Sequence, residues 1–236
     1  ISSENPKQER ENLLMMEQLR VDGILMSVCD KDQNVDLYNK VIERGIPIVF
    51  FDRTVEGVQA SQVRMDDYIM AFFMVEALLR KGYKHILHIP GPAYIRNSRE
   101  RQRGYRDALE KFHVAYQAQD ILQPALSAEE GSRVMEQYLE KNIPFDAVFG
   151  FTETAVLGAK STLQKHKMRI PDDVALCCMS GTALATLVHP QLTAVEQPIG
   201  EMARESCRLL MEHLADNNKK TEEIALRGET VVREST

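Results

Sequence analysis

Several features that would place this chain in a common functional class are absent from it. No apolar run approaches the roughly 18 residues that a bilayer-spanning helix needs, and no basic segment followed by an apolar one marks a secretion signal. The net charge of -6 at pH 7 argues against a bare nucleic-acid-binding surface, which is usually basic. These absences favour neither a membrane protein nor an isolated DNA-binding module.

Cysteine is also scarce, and its placement suggests no metal site. Cys29, Cys177, Cys178 and Cys207 lack metal-ligand spacing, and the adjacent pair falls in an apolar segment where neighbouring side chains point to opposite faces. We therefore expect buried free thiols and a reducing compartment, with the cytoplasm favoured.

The sequence likewise has no recognisable catalytic or cofactor motif. It contains no Ser-His-Asp order, phosphate-binding loop or metal cluster. His85 and His88 are three residues apart in a predicted strand, so they point to opposite faces and cannot share a metal. We expect no catalytic residues, no cofactor and no metal, and hence not an enzyme.

What the chain does contain is an alternation of helical and strand-like segments. With 236 residues, 44% hydrophobic and 27% charged, it is typical of a globular protein with one large core or two smaller ones. The continuous apolar run IPIVFF at 46–51 indicates a parallel strand covered on both faces. About twelve elements in β/α order predict doubly wound parallel α/β sheets, although the pattern does not say whether there is one sheet or two.

The residues 97–112 form the most informative stretch. Asn97 or Ser98 can cap a helix, and apolar residues then recur at helical spacing, at Tyr105, Ala108, Leu109 and Phe112. Arg101 lies four residues before Tyr105, so it shares the inward face, close to the carboxyl end of the predicted strand 85–89. We expect Arg101 to face a cleft and hold a small polar ligand. The alternative is a surface arginine at a helix start.

An ordered set of motifs resembles one family along nearly the whole chain. These motifs are VDGIL (21–25), IPIVFFDR (46–53), RKGYKHILHIPGP (80–92), RERQRGYRDAL (99–109), FDAVFGFTETAVLGA (145–159), RIPDDVAL (169–176), HPQLTAVEQP (189–198) and VVREST (231–236). In this order they resemble the effector-binding region of the lac-repressor (LacI/GalR) family of transcription regulators, which shares the fold of periplasmic sugar-binding proteins.

The resemblance implies two doubly wound subdomains, joined by three crossing strands, with a ligand cleft between them. On that pattern residues 1–65 plus 194–222 form the N-terminal subdomain, and residues 66–193 plus 223–236 form the C-terminal one. The family's helix-turn-helix domain, and the first strand and helix of the first subdomain, have no counterpart here. Because a sheet without a central strand has unpaired edges, we expect the natural protein to be longer.

The resemblance also implies which residues contact an effector. Arg101 matches the family's effector-binding arginine, and Asp52, followed by Arg53, matches its cleft acid. Thr152 and Glu153 stand where the family usually has Asn-Asp, and capping of the following helix is the alternative role. Ser180 replaces a common effector-binding aspartate within CCMSGT (177–182), which leaves the effector's identity open. These six residues are the predicted ligand-binding set.

A dimer contact is implied by the same resemblance and by composition. The segment 182–188 is apolar yet irregular, and such a segment is best covered by a partner, most commonly in a two-fold dimer. We expect Leu157, Leu184 and Leu187 at a homodimer interface.

The resulting hypothesis is the ligand-sensing and dimerisation region of a LacI-family regulator. It binds a small polar effector, a sugar or sugar derivative, and couples this to operator DNA binding by a domain outside this chain. The alternative is a periplasmic sugar-binding protein of an ABC-type transporter.

Overall fold

The computed structural model describes residues 1–29, 33–216 and 218–236. Its backbone divides into two compact units, each built on one sheet. The first unit comprises residues 1–66, 94–96 and 198–227, and the second comprises residues 67–93, 97–197 and 228–236. Among the described residues, no helix is both long enough and apolar enough to cross a membrane.

The elements follow the predicted alternation. In chain order the helices are α1 (Pro6–Gln18), α2 (Val35–Glu43), α3 (Asp67–Arg80), α4 (Arg96–Lys111), α5 (Ala128–Leu139), α6 (Glu153–Lys165), α7 (Leu184–Leu187) and α8 (Ile199–Ala215). The strands are β1 (Ile24–Met26), β2 (Ile48–Phe51), β3 (Ser61–Met65), β4 (Ile86–Ile89), β5 (Ala147–Gly150), β6 (Ala175–Gly181), β7 (Thr193–Glu196), β8 (Glu223–Leu226) and β9 (Glu229–Val231).

The first unit contains a four-stranded parallel sheet in the order β1-β2-β3-β8. Ile48 and Phe50 of β2 pack in one core cluster with Tyr38 of α2, whereas Val49 packs in a second cluster with Leu209 of α8. Both faces of β2 are therefore covered, which explains its unbroken apolar run. Each such fully buried side chain contributes about 1.5–3 kcal/mol.

The second unit contains a five-stranded sheet in the order β4-β5-β6-β7-β9, parallel except for the antiparallel pair β7–β9. Its largest core cluster covers one sheet face with side chains of α5 and α6. These two helices pack closely because Gly158 has no side chain: a Cβ there would lie 1.9 Å from the carbonyl oxygen of Ala128. The predicted pair of doubly wound parallel sheets is confirmed, with β9 as the antiparallel exception.

The position of β8 corrects the predicted division of the chain. The prediction assigned residues 223–236 to the second subdomain, but β8 pairs with β3 of the first sheet, with Ile224 opposite Val63. Both side chains pack in the first unit's core. Residues 223–227 therefore belong to the first unit, and of this last segment only 228–236 belong to the second. Residues 194–197, which the prediction assigned to the first subdomain, belong to the second unit, because β7 lies in its sheet.

Three local expectations also need correction. Helix α4 begins at Arg96, so Asn97 and Ser98 lie in its first turn, and the Ser98 hydroxyl donates to the Gly91 carbonyl at 2.7 Å. The segment predicted to be irregular contains the short helix α7. All four cysteines are free, but Cys207 is exposed rather than buried, because it lies on the outer face of α8.

Candidate functional site

Arg101 lies on the inner face of α4 and is only 2% exposed. Its Nε donates to Oδ1 of Asp67 at 2.7 Å, and its Nη1 donates to the Phe151 carbonyl at 2.6 Å. The guanidinium carbon also lies 4.3 Å from the centroid of the Phe151 ring. Because Asp67 begins α3 and Phe151 follows β5, groups from two other elements hold the guanidinium in one orientation. The predicted inward direction of Arg101 is confirmed, and the ion pair offsets the cost of burying the charge.

A stacked aromatic layer lies one helical turn further along α4. The rings of His88, Tyr105 and Phe149 are nearly parallel and contact one another, with the His88 centroid 5.3 Å from that of Tyr105 and 4.9 Å from that of Phe149. The His88 Nδ1 lies 3.0 Å from the Phe149 carbonyl, which can only accept, so Nδ1 carries the proton. Burial lowers the pKa of His88 to about 4, and the nearby Arg101 charge contributes to the lowering. His88 is therefore a neutral, fully buried histidine.

The carboxyl ends of β5 and β6 carry a second polar group of residues. The Thr152 hydroxyl accepts from the Ala155 N–H at 3.2 Å and caps α6. Glu153 is 3% exposed and accepts from the Thr182 N–H at 3.2 Å and from its hydroxyl at 2.5 Å. The Ser180 hydroxyl accepts from the Glu153 N–H at 3.3 Å. Thr152 therefore has the capping role that was the alternative, and Glu153 and Ser180 link the two strand ends.

The two predicted site residues of the first unit directly follow β2. Asp52 is half-buried and has a backbone φ of 57°, in the left-handed region that aspartate tolerates better than most residues. Arg53 donates from Nη1 to Oε2 of Glu4 at 2.6 Å, and its N–H lies 3.4 Å from the Ser27 hydroxyl. The strand end thus turns sharply at Asp52, and an ion pair positions Arg53.

The three predicted interface leucines lie in the second unit with different exposures. Leu184 is 45% exposed and Leu187 is 77% exposed, and both belong to α7. Leu157 of α6 is half-buried and lines the groove between α5 and α6. Ala185 is fully buried and anchors α7 to the core, so the two leucines project from a fixed helix.

The second unit brings Arg101, Thr152, Glu153 and Ser180 to the carboxyl edge of its sheet. The sequence reasoning missed three partners of these residues: Asp67, the Phe151 carbonyl and Thr182. Asp67 had a usable signal, because it and Asp66 directly precede the apolar run of α3. Thr182 was visible only as part of an irregular segment.

The same edge offers hydrogen-bonding groups rather than a metal site. In the three described ranges, no cluster of His, Cys, Asp or Glu side chains is suited to a metal ion. A guanidinium, carboxylates and hydroxyls in fixed positions can bind a polar molecule through directional hydrogen bonds.

Comparison with known proteins identifies this arrangement. A family model described as a periplasmic binding protein-like domain matches residues 75–236. The regulator DegA of Bacillus subtilis is 28% identical over 98% of this chain and 69% of its own length, and the ribose operon repressor of Halalkalibacterium halodurans is 27% identical over 100% and 68%. The solved complex of the transcriptional regulator CelR with cellobiose superposes with a TM-score of 0.89 at 27% identity, covering 97% of this chain and 70% of that one.

Fold and site together define an α/β ligand-binding protein with two sheet-based units. The chain belongs to the periplasmic binding protein-like domain family, in its branch of LacI-family transcription regulators, as the resemblance implied. It spans about two thirds of the length of the curated relatives named above.

Proposed function

We propose that the chain is the effector-sensing region of a LacI-family transcription regulator. A small polar molecule, a sugar or sugar derivative, binds at the carboxyl ends of the strands, and its binding alters the affinity of the whole protein for operator DNA. The relatives named above are transcription regulators, and this supports a regulator over a transporter's periplasmic sugar-binding protein. The solved CelR complex contains a sugar, which supports the proposed ligand class.

The observation that carries this proposal is the fixed orientation of Arg101. Its contacts with Asp67 and Phe151 use two of the five N–H donors of a guanidinium. Among the described residues this leaves three donors for a ligand, in a planar fork that suits neighbouring hydroxyls or a carboxylate. Since the side chain is already ordered, little conformational entropy is lost when the ligand binds.

The remaining site residues have complementary roles in this proposal. Asp52 acts as an acceptor for ligand hydroxyls, and Arg53 supplies donors beside it. In the second unit, Thr152 and Glu153 shape the edge next to Arg101 and the Ser180 hydroxyl, which accepts from the Glu153 N–H, donates to the ligand. Coupling between such a site and DNA binding is typically about 1–3 kcal/mol.

The proposed setting is cytoplasmic and the proposed assembly is a homodimer. Burial raises the pKa of Cys178 to about 12, so this thiol stays protonated and unreactive, as suits a reducing compartment. Leu184 and Leu187 are the apolar contacts proposed for a partner copy, together with Leu157. DNA binding is assigned to a helix-turn-helix domain outside this chain, because the relative DegA is named an HTH-type regulator.

A ligand screen with matched variants tests the site. Thermal unfolding of the protein is followed with a panel of sugars and nucleobases, and affinities for any hit are measured for wild type, Arg101→Lys and Asp52→Asn. Both variants should weaken binding at least tenfold, because each loses directional hydrogen bonds to the ligand. Arg169→Gln, which removes an exposed arginine from a turn, is the control and should bind like wild type. Equal affinity of Arg101→Lys and wild type would rule out Arg101 as a ligand contact.

A separate measurement tests the dimer. Sedimentation of Leu187→Glu should show a larger monomer fraction than wild type, because a charge would be placed in an apolar contact. Met211→Glu, at a similarly exposed position on α8, is the control. An unchanged sedimentation profile for Leu187→Glu would exclude α7 from the interface.

A further inference from the structure

A cavity lies at the amino ends of the parallel strands in the first unit. It measures about 160 Å³ and is lined by the end of α2, by residues just before β3 and β8, and by His213 of α8. Pro47 and Ile48, which also line it, stand at the start of β2, whereas Asp52 follows the carboxyl end of the same strand. The cavity and this proposed effector residue therefore lie at opposite ends of one strand.

The imidazole of His213 is the most buried polar group in the lining. This residue is only 7% exposed, and its Nε2 lies 2.7 Å from the Ser61 hydroxyl. The Ser61 oxygen also accepts from the Glu222 N–H at 3.0 Å, which fixes its position. Among the described residues, Nδ1 of His213 has no hydrogen-bond partner, and it is not sealed from solvent. This nitrogen is therefore open to the cavity.

His213 can present either a donor or an acceptor to a ligand. Burial, followed by the charge of Lys219, lowers its pKa below the ordinary value of 6.5, so the ring is neutral at pH 7. When Ser61 donates to Nε2, Nδ1 carries the proton and donates into the cavity. When Nε2 carries the proton, Nδ1 accepts. The contact with Ser61 is compatible with both tautomers.

Two further polar groups of the lining are uncommitted. In the part of the chain that the structure describes, the side chains of Gln59 and Thr221 have no hydrogen-bond partner. Lys219 is the one charged residue of the lining, and its ammonium pairs with Glu212 and lies 3.0 Å from Oε1 of Glu222. The cavity therefore offers neutral donors and acceptors, while its charge is already compensated.

The rest of the lining and the volume suit a single flat ring. The apolar lining residues are Ile42, Pro47, Ile48 and Ala60. An apolar cavity of about 150 Å³ is large enough to bind benzene, so this one can hold a six-membered ring. A ring with polar groups at its edge satisfies both kinds of lining. A charged ring would lose hydration without gaining an uncompensated partner.

We propose that this cavity binds a small neutral heterocycle with adjacent N–H and C=O groups on its ring edge, as in a free pyrimidine base, through His213, Gln59 and Thr221. Such a ligand stabilises the first unit by mass action, because it contacts residues of several elements at once. The site does not depend on the identity of the effector.

An NMR titration with uracil tests the proposal. Binding is followed through the ring signals of His213, which are assigned from their loss in His213→Gln. This variant keeps an amide that can reach Ser61 but lacks a group at the position of Nδ1. Gln59→Leu and Thr221→Val alter exposed side chains, so their thermal unfolding midpoints should stay close to that of wild type. Gln18→Leu, at the exposed end of α1, is the matched control.

Uracil should shift the His213 ring signals and bind more tightly than two related probes. The first is 1,3-dimethyluracil, which keeps the ring but has no N–H, and the second is benzoate, which is charged. His213→Gln, Gln59→Leu and Thr221→Val should each weaken uracil binding about two- to tenfold, because each removes one neutral hydrogen bond. Gln18→Leu and Arg101→Lys should leave it unchanged.

Three outcomes would overturn the proposal. The first is that uracil at millimolar concentration leaves the His213 signals unshifted. The second is that 1,3-dimethyluracil binds as tightly as uracil, or that Gln59→Leu and Thr221→Val both bind uracil like wild type, since the polar lining would then not be used. The third is that Arg101→Lys abolishes binding, since uracil would then occupy the proposed effector site. If His213→Gln does not fold, the two exposed variants decide the result.

Discussion

The polar strand ends of the two units are built in different ways. In the second unit, Arg101 and Glu153 are almost completely buried, and each is committed to partners from other elements. In the first unit, Asp52 is half-buried and Arg53 reaches to Glu4 near the start of the chain. The second unit's polar edge is thus part of its core, whereas the first unit's edge lies outside its core. Substitutions in the second unit should therefore affect both folding and ligand binding, and substitutions in the first unit should affect ligand binding alone.

The largest effect should follow from Arg101→Ala. This change removes the guanidinium that pairs with the buried Asp67 carboxylate, and breaking such a pair lowers the free energy of unfolding by about 3–5 kcal/mol. Urea denaturation provides the measurement. Arg169→Ala breaks an exposed ion pair, which water screens, so it should change the free energy of unfolding far less than Arg101→Ala does. If the two variants show the same small decrease in the free energy of unfolding, the buried pair does not stabilise the second unit.

The second-largest expected effect is a pH dependence of the free energy of unfolding that arises from His88. In the unfolded chain this histidine takes up a proton as the pH falls below its ordinary pKa of 6.5, whereas in the folded chain burial delays protonation to about pH 4. The free energy of unfolding is therefore unaffected by His88 above pH 6.5 and falls progressively between 6.5 and 4. Between pH 7 and 5 the loss should be about 2 kcal/mol.

A comparison with the variant His88→Phe isolates the contribution of His88 to this pH dependence. Phenylalanine keeps an aromatic ring beside Tyr105 and Phe149 but does not titrate, so the free energy of unfolding of this variant should fall about 2 kcal/mol less than that of wild type between pH 7 and 5. Parallel pH profiles for the two proteins would mean that His88 is already accessible to protons in the folded state.

A smaller effect is expected for Glu153→Gln. The glutamine can still accept from Thr182, but hydrogen bonds to a charged acceptor become neutral ones, and the difference is about 1 kcal/mol. Chemical denaturation again measures it. Glu129→Gln, at the exposed start of α5, is the control and should stay within about 0.5 kcal/mol of wild type. If Glu153→Gln leaves the free energy of unfolding unchanged, the polar edge of the second sheet does not contribute to stability and resembles that of the first.

The smallest effect on stability should be that of Asp52→Asn. Asparagine tolerates the left-handed backbone as well as aspartate does, so the free energy of unfolding should change by less than about 0.5 kcal/mol. Binding of a sugar found in the screen should nevertheless weaken. A large loss of stability here would show that the first unit's strand end is structural too.

The sequence predicted the architecture well because its signals are local. The run IPIVFF requires apolar surroundings on both faces, and α2 and α8 supply them. The distance of four residues from Tyr105 to Arg101 was enough to place the arginine on the inner face of α4. The capping role considered for Asn97 and Ser98 failed because α4 begins one residue earlier than Asn97.

The hydrogen-bond partners of the site residues could not be predicted from such local signals. Arg101 meets Asp67 across 34 positions of sequence and the Phe151 carbonyl across 50. Thr182 reaches Glu153 because β5 and β6 are neighbours in the sheet, which neither segment reveals alone. The allocation of residues 223–227 failed for a similar reason, because a short strand looks the same whichever sheet it joins.

The sequence by itself determined the family, the β/α alternation and the inward direction of Arg101, because periodicity and motif order depend only on neighbouring residues. The tertiary structure decided which carboxylate compensates that arginine and which unit contains β8. Those outcomes depend on which elements pack side by side, and that depends on the free energy of the whole fold rather than of any one segment.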